Sequence, residues 1–194
     1  MFYWLVKIVA FPLVFFAFLC PYIAGRKHMP KKGGVIVLCN HTSNYDPVML
    51  LFLLRRSIHF IAKKQLFEGF WKNFFFTHMK VMPVQRDGRD IASLRQSLKL
   101  LEQGKVVGIF PEGTRSKNGV MLPFEKGVAY LALRSKVPVV PVAIKKTYGI
   151  FKRPDILMGE PIDMQEFYEK KMDSVLLTEL TQHLFDAVKA LKEA

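Results

Sequence analysis

The chain has 194 residues and carries 29 Lys and Arg against 16 Asp and Glu, a formal net charge of +13. This length suits a single domain with a sizeable core, and the charge suits an anionic partner: lipid headgroups, acyl-CoA, acyl carrier protein or nucleic acid. A generic basic surface would explain the charge equally well. Zinc-finger spacing and RNA-binding aromatic motifs are absent from the sequence, so only the charge supports nucleic-acid binding, and we expect none.

The two cysteines give no support for a disulfide-rich or zinc-binding protein. Cys20 and Cys39 are the two cysteines of the chain, and both lie in apolar runs. This placement favours buried thiols in a reducing compartment over a disulfide framework or a zinc site. A thiolate is also disfavoured in a buried strand, so Cys39 is a poor candidate for a nucleophile.

The chain begins with an apolar run of 23 residues, Phe2 to Ala24, whose one charge is Lys7. That length is enough to cross a bilayer. Pro12 and Pro21 interrupt the run, so a kinked helix or a short hairpin in one leaflet is an equal alternative to a straight span. A buried core helix is the remaining interpretation.

A basic flank follows the apolar run, at Arg26, Lys27, Lys31 and Lys32. Such a flank favours the cytoplasmic face of a membrane and attracts anionic lipid. We therefore expect residues 1–30 to form a membrane anchor and residues 31–194 a separate domain on the cytoplasmic face of the inner membrane.

Beyond the anchor, short apolar runs alternate with segments of helical periodicity. Strands are predicted over residues 35–39, 58–62, 81–84, 106–110, 137–144 and 156–159. Helices are predicted over residues 46–55, 66–77, 90–103, 127–135 and 174–191. This alternation indicates an α/β domain with a largely parallel sheet, in which ligands gather beyond the carboxyl ends of the strands.

A histidine and an aspartate follow the first of these strands. The segment Asn40-His-Thr-Ser-Asn-Tyr-Asp46 contains His41, a suitable general base, and Asp46, which could hold the imidazole in one tautomer. Asp46 followed by Pro47 also resembles a helix N-cap and a first helical residue. Taken alone, His41 fits a structural loop histidine better than a base.

A second polar segment follows the strand predicted over residues 106–110. Glu112-Gly-Thr-Arg115 forms a turn in which Gly113 lets backbone N–H groups approach an anion and Arg115 can bind phosphate through two hydrogen bonds. Glu112 would orient Arg115 or accept a hydrogen bond from the substrate. Taken alone, the segment fits an ordinary polar turn better than an anion site.

Two more cations are candidate phosphate ligands. Lys126 precedes a predicted helix, whose first N–H groups favour anions, and Arg86 follows a predicted strand. Together with the two motifs, they predict a site that takes a proton from a hydroxyl on a phosphorylated substrate.

These residues resemble the glycerolipid acyltransferase family typified by 1-acyl-sn-glycerol-3-phosphate acyltransferases. The block N-H-x-S-x-x-D stands at residues 40–46, and F-P-E-G-T-R-S stands complete at residues 110–116. The F-x-x-G element is found at residues 124–127 and V-P-V-V-P-V at residues 137–142. The hydrophobic strand that ends in Arg occupies residues 81–86, without the commoner residues before Arg86.

The resemblance implies a reaction and a fold. His41, held by Asp46, would deprotonate a glycerol hydroxyl that attacks the thioester of acyl-CoA or acyl carrier protein. Glu112, Gly113, Thr114 and Arg115, with Arg86 and Lys126, would bind the phosphorylated end of lysophosphatidate. The family implies a mixed sheet flanked by helices, an acyl-chain tunnel beside the membrane, and no metal, cofactor or covalent intermediate. Glycerol-3-phosphate or another lysophospholipid is the alternative acceptor.

Overall fold

The fold is given by a computed structural model that describes residues 2–18, 21–63, 67–84, 91–146 and 148–194. Its helices are α1 (Phe2–Ala17), α2 (Asp46–Leu53), α3 (Phe70–His78), α4 (Ile91–Glu102), α5 (Gly127–Ser135), α6 (Gln165–Tyr168) and α7 (Ser174–Glu193). Its strands are β1 (Tyr22–Ala24), β2 (Val35–Cys39), β3 (Ile58–Lys63), β4 (Val81–Val84), β5 (Val106–Ile109), β6 (Val139–Ile144) and β7 (Asp155–Met158).

The strands form one mixed sheet in the order β1-β7-β6-β2-β5-β3-β4. Strands β6, β2, β5, β3 and β4 are mutually parallel, β7 pairs antiparallel with β6, and β1 runs parallel to β7. The predicted mixed, largely parallel α/β sheet flanked by helices is therefore confirmed. Because β2 and β5 are neighbours, the segments that follow them emerge side by side.

Each face of the sheet is covered by helices, which explains the unbroken apolar sequence of its central strands. Alternate residues of β2 point to opposite faces: Val35 and Val37 pack with α1 and α2, whereas Ile36 and Leu38 pack with α4, α5 and α7. All five residues of β2 are buried. The predicted burial of Cys39 is confirmed, and burial raises the pKa of its thiol well above the usual value. Cys20 lies outside the described residues.

The predicted elements are present, with different ends. Strand β3 runs to Lys63, one residue further than predicted, and α2 ends at Leu53, two residues earlier. Helix α2 also begins at Asp46 with Tyr45 in the capping position, so the prediction that Asp46 is the N-cap is wrong. The reason is that its carboxylate accepts hydrogen bonds from residues before the helix, described below.

The N-terminal apolar run divides into two elements. Helix α1 continues through Pro12, so that proline does not end it, whereas Tyr22–Ala24 leaves the helix and pairs with β7 at the sheet edge. No helix among the described residues has both the length and the apolar composition needed to cross a bilayer. The sheet thus includes a strand on the N-terminal side of the boundary predicted near residue 30, and that boundary stays a prediction.

Two polar side chains attach α1 to the sheet layer. The hydroxyl of Tyr3 accepts a hydrogen bond from the N–H of Ile58 at 3.3 Å, and the Lys7 ammonium donates to the carbonyl of Leu54. Burial, followed by repulsion from Arg26, lowers the pKa of Lys7 from 10.5 to about 8. An amine that loses its proton more easily when folded makes stability depend on pH.

We expect Lys7→Met to abolish a rise in stability at alkaline pH. Between about pH 8 and 10.5 the unfolded chain keeps the Lys7 proton and the folded chain does not, so the free energy of unfolding rises with pH in this window. Denaturant titrations of both proteins across the window, without lipid, measure the difference. Parallel pH profiles would contradict the assignment.

Candidate active site

The two motifs meet at the carboxyl edge of the sheet, after the neighbouring strands β2 and β5. The N–H of His41 donates to Oε1 of Glu112 at 2.7 Å, and the N–H of Ser116 donates to the carbonyl of His41 at 2.9 Å. The backbone of His41 is therefore bonded to the second motif on both sides. Since Arg115 directly precedes Ser116, its side chain starts beside the histidine.

His41 and Asp46 form the expected pair. Nδ1 of His41 lies 2.8 Å from Oδ2 of Asp46. A carboxylate only accepts, so the imidazole proton sits on Nδ1 and Nε2 carries the free lone pair. Nε2 has no hydrogen-bond partner in the part of the chain that the structure describes. The side chain of His41 is 18% exposed, which leaves this nitrogen reachable from outside.

Asp46 is held more firmly than a helix cap would be. Its side chain is 0% exposed, and Oδ2 also accepts from the N–H groups of Thr42 and Ser43, at 2.7 and 2.8 Å. Three donors converge on one oxygen, so the segment between His41 and Asp46 is closed into a tight loop. This explains how residues five apart, which do not share a helix face, come into contact.

Phe110 fixes the plane of the imidazole. Its ring stacks on His41 with centroids 4.2 Å apart and an angle of 22°, and it stacks in turn on Phe60 at 5.7 Å. The imidazole is thus held at its edge by a carboxylate and on its face by an aromatic ring. Sequence analysis gave Phe110 no role, because its place in the motif does not show which ring it faces.

Glu112 holds the backbone of the site. It is 5% exposed, and its second oxygen, Oε2, accepts from the N–H of Leu122 at 2.8 Å. Burial raises the pKa of Glu112, and the two backbone hydrogen bonds and His41 partly offset this rise. Sequence analysis expected Glu112 to orient Arg115 or to contact substrate; in the structure both its oxygens are occupied by the backbone of the protein itself.

The turn that follows β5 presents free donors. Gly113 adopts φ 64°, which a side chain would strain, and its N–H donates to the carbonyl of Phe110. The N–H groups of Thr114 and Arg115 have no acceptor among the described residues, and both residues are exposed. The guanidinium of Arg115 likewise makes no ion pair within the described ranges.

The two remaining predicted ligands are placed differently. Lys126 is exposed at the start of α5, and its ammonium lies 3.5 Å from the hydroxyl of Ser174 rather than at His41. Arg86 lies outside the described residues, so its predicted role stays a prediction. His41, Asp46, Glu112, Gly113, Thr114 and Arg115 are the residues that the structure brings together.

Sequence analysis assigned no role to two polar residues next to the pair, Asn40 and Tyr148. The side chain of Asn40 bonds both backbone groups of Ile144, at 2.7 and 3.1 Å, and so ties the His41 segment to the end of β6. Tyr148 lies four residues after Ile144. Burial raises the pKa of its hydroxyl well above the usual value, and the charge of Asp46 raises it further.

The hydroxyl of Tyr148 and Oδ1 of Asp46 are buried, and neither completes a hydrogen bond of good geometry with the described chain. Burial of unpaired polar atoms is costly. A small rotation that joins this hydroxyl to the carboxylate would satisfy both atoms. No local sequence pattern connects the two residues.

A base held by a buried carboxylate, at the sheet edge where α/β proteins bind ligands, defines an enzyme that takes a proton from its substrate. The comparisons with known proteins identify the kind of enzyme. The family model described as Acyltransferase matches residues 21–145, and the chain belongs to this family. The resemblance seen in the sequence is therefore confirmed.

Several known proteins that are similar to this chain are named 1-acyl-sn-glycerol-3-phosphate acyltransferase. The chain is 31% identical over 151 residues to a 1-acyl-sn-glycerol-3-phosphate acyltransferase of Bacillus subtilis, covering 75% of each protein. It is 30% identical over 131 residues to that of Borreliella burgdorferi, of which it covers 52%. The solved structure of the 1-acyl-sn-glycerophosphate acyltransferase PlsC from Thermotoga maritima matches 97% of this chain and 77% of its own, with a TM-score of 0.72 and 26% identity.

We expect Glu112→Gln to weaken both fold and turnover. Gln offers one acceptor where Glu112 accepts from two N–H groups, so one buried N–H loses its partner and stability falls by about 2 kcal/mol. The released His41 backbone should lower kcat by about tenfold or more.

Denaturant unfolding and acyl-transfer kinetics measure the two effects of this substitution. Glu169→Gln, an exposed glutamate that follows α6, is the matched control and should change neither quantity. An active, fully stable Glu112→Gln protein would show that this carboxylate does not position the site.

Proposed function

We propose that this chain transfers a fatty acyl group from acyl-CoA or acyl carrier protein to the free hydroxyl of 1-acyl-sn-glycerol-3-phosphate, giving phosphatidate for phospholipid synthesis. The observation that carries the proposal is the pair of hydrogen bonds between the backbone of His41 and the second motif, which joins the loop of the histidine to the turn that contains Arg115. The names of the relatives from Bacillus, Borreliella and Thermotoga support the acceptor. Glycerol-3-phosphate or another lysophospholipid is the alternative acceptor.

In the first step, Nε2 of His41 takes the proton of the acceptor hydroxyl while its oxygen attacks the thioester carbonyl carbon. The Asp46 carboxylate stabilises the imidazolium that forms, because it already accepts the proton on Nδ1. The carbonyl oxygen becomes negative in the tetrahedral intermediate. The unpaired N–H groups of the turn at Thr114 and Arg115 are candidate donors to this oxygen.

In the second step, the carbon–sulfur bond breaks and the leaving thiolate takes the proton from the imidazolium. Ester and thiol are the products, and His41 returns to its neutral form. Every proton and electron pair is accounted for without a metal, a cofactor or an acyl-enzyme, so the mechanism we propose uses none. Cys39 is buried beside the site and its raised pKa disfavours the thiolate, which suits it to packing rather than attack.

The phosphate of the acceptor is assigned to Arg115. Its guanidinium is exposed and makes no ion pair within the described residues, and it starts next to the residue bonded to His41. Gly113 and Thr114 form the turn that presents this side chain, and Glu112 contributes by holding the turn. Arg86 and Lys126 remain candidate further ligands of the phosphate.

A bilayer is the natural source of this acceptor, and α1 is the element suited to meet it. Seven of its 16 residues are large hydrophobics that are at least 40% exposed: Trp4, Leu5, Ile8, Val9, Phe11, Leu13 and Phe16. We expect an exposed apolar helix that is attached to a basic domain to lie in the plane of the membrane–water interface. We propose that α1 binds one leaflet, on the cytoplasmic face of the inner membrane, and that the chain has no nucleic-acid partner.

We expect His41→Ala to lower turnover by about a hundredfold or more, the usual scale for the loss of a general base. The measurement is transfer of labelled acyl groups from acyl-CoA and from acyl carrier protein to lysophosphatidate. His183→Ala, on α7 in the other helical layer, is the matched control. Equal rates for His41→Ala and the unchanged protein would exclude His41 as the base.

We expect Arg115→Lys to raise KM for lysophosphatidate and to leave KM for the acyl donor unchanged. Lysine keeps the charge but loses the two parallel hydrogen bonds that a guanidinium makes to phosphate. Steady-state kinetics with each substrate varied in turn separates the two constants. Arg134→Lys, at the far end of α5, is the control, and a change in the donor constant would reverse our assignment of the two substrate ends.

A further inference from the structure

A second concentration of positive charge lies at the sheet edge opposite His41. Arg55 and Arg56 precede β3, and Arg26 follows β1, which runs antiparallel to the central strands. These residues border a cavity of about 210 Å³. Five of its eight lining residues are basic and none is acidic: Arg26, Lys27, Met29, Pro30, Lys31, Leu54, Arg55 and Arg56.

The charges of this cavity are not balanced by the protein. Nε of Arg26 is buried and has no hydrogen-bond partner in the described chain. Burial lowers the pKa of Arg26, and repulsion by Arg55 lowers it further. Lys7 lies behind the cavity on the carbonyl of Leu54, and its pKa is lowered by burial and then by Arg26. Arg26 is partly buried, Arg55 is exposed, and no acidic residue lines the cavity, so an anion bound there would find guanidinium donors and no opposing charge.

The wall of the cavity is held in place. The guanidinium of Arg56 donates to the carbonyls of Pro30, Gly33 and Gly104, at 2.9, 2.5 and 2.7 Å. These bonds join the segments before β2, β3 and β5 at one point. Arg56 is therefore occupied by the fold, while Arg26 and Arg55 keep donors for a ligand.

The position of α1 indicates which kind of anion the cavity would bind. Its first turn bonds Ile58, at the start of β3, and Phe18 beyond its last turn packs on Tyr45 and Tyr148 beside the catalytic pair, at 5.2 and 6.0 Å. The helix thus runs from the basic cavity to the active site. A leaflet that covers its exposed apolar face would place headgroups at both ends.

We propose that the Arg26–Arg55 cavity binds the phosphate of an anionic phospholipid headgroup. The site is separate from the one that binds the acceptor, and it rests on the membrane orientation proposed above for α1. Its volume is below the roughly 300–1,000 Å³ of pockets that enclose whole small molecules. A headgroup phosphate, with its acyl chains left in the leaflet beside α1, fits this size.

The test compares two charge-matched pairs on the same sheet edge. Arg26→Gln with Arg55→Gln removes two cations that line the cavity, whereas Lys32→Gln with Lys105→Gln removes two exposed cations that precede β2 and β5 without lining it. Binding is measured by flotation with vesicles of phosphatidylcholine alone and of phosphatidylcholine mixed with phosphatidylglycerol. No acyl donor is added, so the outcome does not depend on whether the chain transfers acyl groups.

We expect the cavity pair to lose about thirtyfold in affinity for the phosphatidylglycerol vesicles, because two guanidinium groups lose their hydrogen bonds to a headgroup phosphate, and to bind phosphatidylcholine as before. The control pair does not line the cavity and should lose less than about threefold, because diffuse attraction between exposed charges is screened by salt. Equal losses would mean diffuse attraction and would overturn the site. Arg55→Gln alone, at an exposed position, should lose about fivefold and keeps the test decisive if the double variant unfolds.

A second arm uses inorganic phosphate. If phosphate raises the melting temperature of the unchanged protein but not that of the cavity pair, while both pairs bind vesicles equally, the ligand is a soluble phosphate and the lipid assignment is wrong. If the cavity pair alone loses vesicle binding, the lipid assignment stands, whatever the effect of free phosphate.

Discussion

The buried carboxylate of Glu112 is the constraint on which the site depends. Taking a carboxylate out of water is unfavourable, which is why burial raises its pKa, and two backbone N–H groups offset part of that cost. Those N–H groups belong to His41 and Leu122, in loops that are distant in sequence. The carboxylate can therefore be buried only when the loops after β2 and β5 and the segment at Leu122 are assembled together.

Asp46 is a second buried carboxylate that accepts backbone hydrogen bonds, and it contacts the imidazole ring itself. Three donors converge on its Oδ2, and one of them is Nδ1 of the imidazole ring. Glu112 fixes where the backbone of His41 lies, and Asp46 fixes where its ring points. With Phe110 stacked on the face, Nε2 is the part of the ring that is free to react. Most of the polar bonding in the site thus fixes the position of one atom, whereas the guanidinium of Arg115 makes no ion pair within the described residues.

The sequence was sufficient for six of the seven described strands, for the largely parallel character of the sheet and for the contact between the two motifs. These depend on local apolar runs and on the rule that loops after neighbouring parallel strands meet. It was insufficient for the role of Glu112, for Asn40 and for Tyr148, because each acts through a partner that is distant in sequence. A bond from a side chain to a remote backbone leaves no spacing to detect.

The division of the N-terminal apolar run into a helix and a strand was also not predictable from the local sequence. The apolar composition of residues 2–24 is continuous, yet Tyr22–Ala24 pairs with β7 and α1 packs on α2. Composition alone could not distinguish the helix from the strand, because the strand forms only by pairing with β7, which is distant in sequence. This pairing has a functional consequence, because it attaches the chain after α1 to the sheet edge. Tyr3 and Lys7 bond α1 to Ile58 and Leu54, and Phe18 packs on Tyr45, so both ends of the helix contact the domain and its exposed apolar face has a defined position relative to His41.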